Sequence, residues 1–161
     1  MAQDQSDNMH LFLDISVYLT GFSKIELQGT GMLEIYFNTI NANTNPDVVR
    51  GFYDEVSKIL ALDNEKAILK RIEAELMPLS KFQGLGQLTI LMWYMGTWAT
   101  WTDDTSKTEE DENKYSLQNS VVISANSYVQ GLVWDAAETH PPGAKQPGFD
   151  SWAHPPIEIK C

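Results

Sequence analysis

The distribution of proline constrains the fold of this chain more than any other feature. Five of the seven prolines fall within the 17 residues from His140 to Pro156. Proline lacks a backbone N–H and clashes with the preceding helical turn, so this segment cannot form a helix or a central strand. We therefore expect an extended C-terminal arm over 139–161, close to polyproline II. The residues before it are free to form helices.

Apolar side chains recur with helical spacing over most of the chain and predict six helices. The predicted helices cover residues 7–19, 31–40, 46–60, 63–77, 85–98 and 124–138. No series of strands is predicted. The expected fold is all-α: a single helical domain, 1–161, with the proline-rich arm at its end.

Several residues are expected to define the helix ends. Gly21 is placed to end the first helix in a left-handed conformation, and Thr30 is the predicted N-cap of the second. The third helix is the best marked, with Asn45 as its cap and Pro46 in its first turn.

Three further predictions concern packing: the third and fourth helices form an antiparallel pair, Gly131 permits a close crossing, and four side chains of the fourth helix face inward. These four are Ile68, Leu69, Ile72 and Leu76.

The fifth predicted helix is apolar on nearly every side, which suggests that a partner covers part of it. After it comes the acidic loop 102–114. Residues 102–113 carry six acidic side chains and one lysine. We predict a solvated, mobile loop, and a solubilising role is favoured over an acidic docking motif.

The composition argues against several classes of function. A net charge of −11 does not suit nucleic acid or an anionic membrane surface. The longest apolar run, 88–101, is too short for the roughly 20 residues that cross a bilayer, so no direct membrane insertion is predicted. Cys161 is the only cysteine, which excludes a disulfide framework. The three histidines, His10, His140 and His154, match no zinc spacing.

No motif for catalysis or cofactor binding is present. Gly84 and Gly86 lack the third glycine of a dinucleotide-binding loop. There is no Gly-x-Ser-x-Gly elbow and no Glu-x-x-His pair. Four carboxylates lie in apolar helices and are expected to face solvent or to cap a neighbour: Asp14, Glu34, Asp54 and Asp135. We therefore predict no catalytic residue, no bound cofactor and no metal in this chain.

Five sequence blocks carry a resemblance to a known family. They are FLDISVYLTGF (12–22), GTGM (29–32), WYMGTW (93–98), SANSYVQGLVWDA (124–136) and HPPGAKQPGFDSW (140–152). On these blocks the chain resembles the small subunits of membrane-associated, FAD-containing sorbitol dehydrogenases. That family is related to the small subunits of fructose and other sugar dehydrogenases.

The resemblance implies a role in a complex. In such complexes a large subunit of the glucose-methanol-choline oxidoreductase type holds FAD and oxidises a sugar or polyol, and a cytochrome c subunit often passes the electrons onward. The small subunit holds no cofactor and aids maturation and export of the large one. Family members commonly carry a twin-arginine leader, whereas this sequence has only two arginines, Arg50 and Arg71, and no leader. We expect a periplasmic location if a leader was removed and a cytoplasmic one if the chain is complete.

Aromatic anchors and an extended arm are features of a docked subunit. The predicted partner contacts come from the 93–98 patch, the last helix and the arm. They are Trp93, Tyr94, Trp98, Tyr128, Trp134, His140, Pro141, Pro142, Gly143, Pro147, Gly148, Phe149 and Trp152. An arm wrapped on its own domain is the alternative for the tail. Two other functions stay open: a transient flavoprotein chaperone, and a free-standing enzyme with a pocket around Asp135, Glu138 and His140.

Overall fold

A computed structural model gives the fold of residues 2–141, with side chains described from Gln5 onward. The arm after Pro141 lies outside the described residues. The fold is mainly helical, as predicted. Its elements in chain order are α1 (Ala2–Thr20), α2 (Lys24–Gly29), α3 (Leu33–Asn43), α4 (Pro46–Leu60), α5 (Glu65–Glu75), a short 3₁₀ turn (Phe82–Gly84), α6 (Leu85–Met95), β1 (Thr97–Asp103), β2 (Tyr115–Val122), α7 (Ala125–Val129) and α8 (Val133–Ala136).

The first helix ends as predicted, but a short helix follows it that the sequence reading missed. Gly21 has φ +79°, and its N–H donates to the Val17 carbonyl at 2.9 Å. The missed helix is α2. A capping box begins it, because Ser23 Oγ accepts from the Glu26 N–H and the Glu26 carboxylate accepts from the Ser23 N–H at 2.7 Å. These bonds hold the pKa of Glu26 below its ordinary value.

The prediction for Thr30 was wrong. Thr30 closes α2, while α3 begins at Leu33 after Met32. The prediction for α4 is confirmed: Asn45 Oδ1 accepts from the Asp47 N–H at 2.8 Å. Proline directly follows this cap, where its missing N–H costs no helical bond.

Helices α4 and α5 pack against each other, as expected for helices joined by a short turn. Leu69 was predicted to face inward, and this is wrong, since its side chain is 48% exposed. The other three apolar side chains predicted to face inward are buried. An ion pair ties the two helices together at the surface. Arg71 Nη2 lies 2.8 Å from Glu55 Oε1, and Arg71 Nε lies 3.1 Å from the same oxygen.

This ion pair predicts a pH-dependent stability difference. Arg71 holds the pKa of Glu55 below its ordinary value of 4.5, so the pair stabilises the fold above that pH and the contribution is lost as the pH falls. Glu55→Gln is expected to lower the free energy of unfolding by roughly 1 kcal/mol at neutral pH. The difference should shrink as the pH falls below 4.5. Urea titrations across this range test it, with Glu73→Gln as the control.

Trp93 of α6 lies at the centre of the core. Its side chain is 1% exposed, and its ring stacks on Phe12 at 6.1 Å between ring centres. The ring of Tyr36 meets it edge-on at 5.0 Å. Trp93 Nε1 donates to Ser16 Oγ at 2.9 Å. One face of α6 is thereby fixed against α1 and α3, which determines the direction of its other face.

The helix predicted over 85–98 is shorter than expected, because Gly96 ends it. Gly96 has φ +64°, and its N–H donates to the Met92 carbonyl at 2.9 Å. The chain then forms an antiparallel hairpin of β1 and β2, in which Thr97 pairs with Val122 and Asp103 with Tyr115. The pairing is irregular after Trp98, where Asn119 on β2 has φ +53°. Threonine and tryptophan, which recur in TWATWTD, are typical of a strand. The prediction of a helix over 85–98 did not take this signal into account.

The predicted loop 102–114 is correspondingly shorter, since β1 extends to Asp103. Hydrogen bonds close the loop. The Asp104 N–H donates to the Lys114 carbonyl at 2.8 Å, and the Tyr115 hydroxyl donates to Glu109 Oε2 at 2.7 Å. Lys114 Nζ donates to the other oxygen of Glu109. These bonds fix Glu109 and the base of the loop.

The helix predicted over 124–138 is two short helices, α7 and α8. The break falls at Gln130, Gly131 and Leu132. The Leu132 N–H donates to the Trp93 carbonyl at 2.9 Å and thus contributes to a tertiary contact. Within residues 2–141, no helix combines the length and the apolar character that crossing a bilayer requires.

Candidate functional site

The 93–98 and 124–136 sequence blocks are bonded to each other at the end of α6. The Ile123 N–H and Ser127 Oγ both donate to the Gly96 carbonyl, at 3.0 and 2.8 Å. The backbones approach so closely that a Cβ on Gly96 would lie 2.3 Å from the Ser127 carbonyl oxygen. A Cβ on Gly131 would lie 2.7 Å from the Tyr94 carbonyl oxygen. Gly131 was predicted to permit a close helix crossing, but it lies in the break between α7 and α8, where its backbone approaches the end of α6.

The contact between the 93–98 and 124–136 blocks, called the junction below, gives a stability prediction. Gly96→Ala is expected to lower the free energy of unfolding by about 2 kcal/mol or more, because alanine resists a positive φ and its Cβ has no space. Gly31→Ala is the matched control, since Gly31 also has a positive φ, at +70°, while a Cβ there meets nothing within 4 Å. Urea denaturation of the two variants compares them. Equal stability of both variants would contradict the close approach at Gly96.

The predicted partner contacts lie in different environments. Trp93 was placed on a partner surface, whereas the structure buries it in the core, so we remove it from the contact set. Tyr94 is half-buried, with its hydroxyl donating to the Thr20 carbonyl at 2.9 Å. Trp98 is also half-buried. The remaining six contacts predicted in the arm lie outside the described residues: Pro142, Gly143, Pro147, Gly148, Phe149 and Trp152.

Tyr128 and Trp134 form a surface pair beside the junction. Their rings meet edge-on at 5.3 Å, and Trp134 Nε1 donates to the Tyr128 carbonyl at 2.7 Å. Tyr128 is exposed and Trp134 is half-buried. His140 is exposed and Pro141 is buried at the end of the described chain. The aromatic anchors expected in the last predicted helix are therefore accessible to a partner.

The outer face of α6 lines an apolar groove of about 320 Å³. Residues at helical spacing on α6 form one wall, and β2 and the turn after α5 contribute to the others. The residues that line the groove are Met77, Gln87, Ile90, Leu91, Tyr94, Met95 and Leu117. None of them is charged. Concave, mostly apolar surfaces of this kind are typical binding sites.

Further exposed apolar side chains lie near the C-terminal end of α6 and on the elements that follow it. Met95 is 47% exposed and lies at its rim. Val122, which is 52% exposed, pairs with Thr97 directly after Gly96. The backbone of Tyr128 also approaches Gly96. Clustered apolar exposure of this kind marks interaction sites.

Most residues of this groove were missed by sequence reasoning. Only Tyr94 belongs to both the predicted contacts and the groove. The sequence signal was present, because the helix predicted over 85–98 is apolar on nearly every side. The predicted contacts on this helix are its aromatic residues. The groove is lined mainly by aliphatic and methionine side chains of the same helix.

A second crevice, of about 310 Å³, contains Trp98. It lies between the end of α3, the 3₁₀ turn and β1. Phe82 and Gln83 in the turn both have positive φ, at +47° and +52°. This conformation places the Phe82 ring edge-on against Phe52 at 5.9 Å, so core packing accounts for the strained turn.

Asp135, Glu138 and His140, the residues named for the enzyme alternative, are all exposed. Burial raises the pKa of Tyr36 and Tyr53 well above the usual range, and their hydroxyls have no hydrogen-bond partner in the described structure. Both rings pack inside the core. Among residues 2–141, no group of three or more acidic, histidine or cysteine side chains is arranged to hold a metal ion.

Comparisons with known proteins give no relative: the chain matches no protein-family profile, no curated protein and no solved structure.

Proposed function

We propose that this chain is a non-catalytic accessory subunit that binds and stabilises a larger FAD-dependent dehydrogenase of the glucose-methanol-choline type. The groove along α6 is its main contact surface, and Val122, Tyr128 and Trp134 extend that surface. FAD and the oxidation of a sugar or alcohol hydroxyl belong to the partner. A cytochrome c subunit is a further member of such a complex.

The observation that carries this proposal is the apolar face of α6 that the described residues leave partly exposed. Trp93 and its neighbours fix one face of the helix in the core, so the opposite face cannot turn inward. Five side chains of α6 line the groove: Gln87, Ile90, Leu91, Tyr94 and Met95. Burying such a surface against a partner is favourable by about 25 cal/mol for each Å² removed from water. The identity of the partner rests on the family resemblance of the five sequence blocks.

Stabilisation by binding supplies the mechanism. A subunit that binds only the folded partner raises the partner's stability by about 2.7 kcal/mol when present at 100 times its dissociation constant. A large flavoprotein held folded in this way retains its FAD. The accessory chain needs no reactive group for this role.

Co-expression with the neighbouring flavoprotein gene tests the proposal. The tagged chain is purified, and the absorbance spectrum of the co-purifying material is recorded. A stoichiometric complex with the bands of oxidised flavin is the expected result. A colourless chain that captures no flavoprotein would contradict a stable subunit. Release of mature, flavin-loaded enzyme without the chain would instead indicate a transient chaperone.

A further inference from the structure

An acidic crevice of about 380 Å³ continues the apolar groove at the N-terminal end of α6. Gln87 lines both concavities. Tyr115 lines the crevice and Leu117 lines the groove, two residues apart on β2, so the same strand borders both. The groove is thus apolar towards Met95 and acidic at its opposite end.

The acidic end consists of carboxylates from the hairpin loop. Glu109, Asp111 and Glu112 line the crevice, and Glu110 lies between them in sequence. Lys114 pairs with Glu109. In the described part of the chain, no basic side chain lies within ion-pair distance of Glu110, Asp111 or Glu112. These three carboxylates are exposed and available to a cation from a partner.

One wall of the groove is a face of the helix α6. Gln87, Ile90, Leu91, Tyr94 and Met95 follow helical spacing along one wall. An apolar stripe on a second helix can pack against such a wall, as in other helix-in-groove complexes. A helix that runs antiparallel to α6 would place its C-terminal turn at the acidic loop. Lysine and arginine are favoured in the last turn of a helix, because they complement its dipole.

We propose that the groove takes an amphipathic helix of the partner, antiparallel to α6, whose basic C-terminal turn meets Glu110, Asp111 and Glu112. This inference rests on the proposed function, because it specifies which element of the partner subunit docks there. Charge complementarity favours such a partner over a second copy of this chain. A chain of net charge −11 would bring further negative charge to an acidic surface.

Two synthetic peptides of about 14 residues, long enough for several helical turns, test the charge preference. Both carry the same leucine stripe and contain no methionine. One ends in three lysines and the other in three glutamates. Binding to the full chain is followed through the methyl resonances of Met77 and Met95, which line the groove. Met32, which is buried in the core, serves as the internal control.

The lysine peptide is expected to shift the Met77 and Met95 resonances while leaving Met32 unchanged. It should bind about tenfold more tightly than the glutamate peptide at low salt. The preference should disappear near 1 M salt, where the screening length is about 3 Å. In a triple variant, Glu110→Gln with Asp111→Asn and Glu112→Gln, it should fall to about twofold or less.

Three outcomes would overturn this inference. Equal affinity of both peptides at low salt would show that the acidic loop does not select the partner. No shift at Met95 with either peptide would show that the groove does not accept a helix. Concentration-dependent self-association that buries Met95 would assign the groove to a second copy. The flavoprotein capture experiment is independent of these outcomes, because it detects binding through any surface.

Discussion

Met95→Asp is expected to abolish co-purification of the flavoprotein while leaving the chain folded. Met95 is 47% exposed at the rim of the groove, so a carboxylate there stays hydrated in the free chain. Docking would strip water from this charge and leave it unpaired, which costs about 2–5 kcal/mol or more. The expected loss of affinity is therefore roughly 100-fold or greater. Quantitative pull-down with absorbance of the bound flavin measures it.

Leu69→Asp is the matched control for this variant. Leu69 is 48% exposed, lies on α5 and is not among the residues that line the groove. The two substitutions make the same chemical change at nearly equal exposure on a helix. Leu69→Asp should keep full capture of the flavoprotein. An equal loss of capture in both variants would point to a general effect of added charge and would contradict docking at α6.

Trp93→Ala is expected to give the largest loss of stability, about 3–5 kcal/mol. The substitution leaves a cavity between Phe12 and Tyr36 and removes the bond from Nε1 to Ser16 Oγ. Because a domain of this kind has only about 5–15 kcal/mol of stability in total, the variant should be close to unfolding at physiological temperature. Urea denaturation followed by circular dichroism measures the loss.

Trp134→Ala provides the comparison for Trp93→Ala. Trp134 is half-buried and packs edge-on against Tyr128. Its loss should cost roughly 1 kcal/mol. The difference in unfolding free energy between the two variants thus distinguishes a core tryptophan from a surface one. If Trp93→Ala were no more destabilising than Trp134→Ala, the placement of Trp93 at the centre of the core would be wrong.

The helices that sequence patterns predict well are those with local signals at both ends. The helix α4 combines the Asn45 cap, Pro46 in its first turn and a regular apolar stripe. Gly21 ends α1 because a left-handed residue closes a helix locally. Such signals act over a few residues, so they do not depend on the rest of the fold.

The hairpin and the last two helices depend on contacts distant in sequence. Gly96 stops α6 where the Ile123 N–H and the Ser127 hydroxyl both donate to its carbonyl. Apolar periodicity alone predicts that the helix continues past Gly96 to Trp98. The break before α8 arises in the same way, since Leu132 donates to the Trp93 carbonyl. The local sequence around Gly96 and Leu132 contains no signal that predicts these long-range hydrogen bonds.

The sequence predicts which helix carries the candidate site, but it does not predict which residues of that helix line the groove. The excess of apolar surface on α6 is visible in the sequence, and the structure places a groove along that helix. Which face is exposed is decided by the core, where Trp93 contacts Phe12 and Ser16 from a helix far earlier in the chain. Trp93 was therefore predicted at the partner surface, whereas Leu91 and Met95 line the groove there.

Oxidative footprinting of the methionines tests docking at α6 most directly. Met95 is exposed in the free chain, and Met32 is buried. Thioether oxidation depends on access of the oxidant, so the rate at each methionine reports its exposure. In the purified flavoprotein complex, oxidation of Met95 should slow about tenfold or more relative to the free chain, while Met32 stays unreactive in both. An unchanged rate at Met95 within an intact complex would contradict docking through the α6 groove.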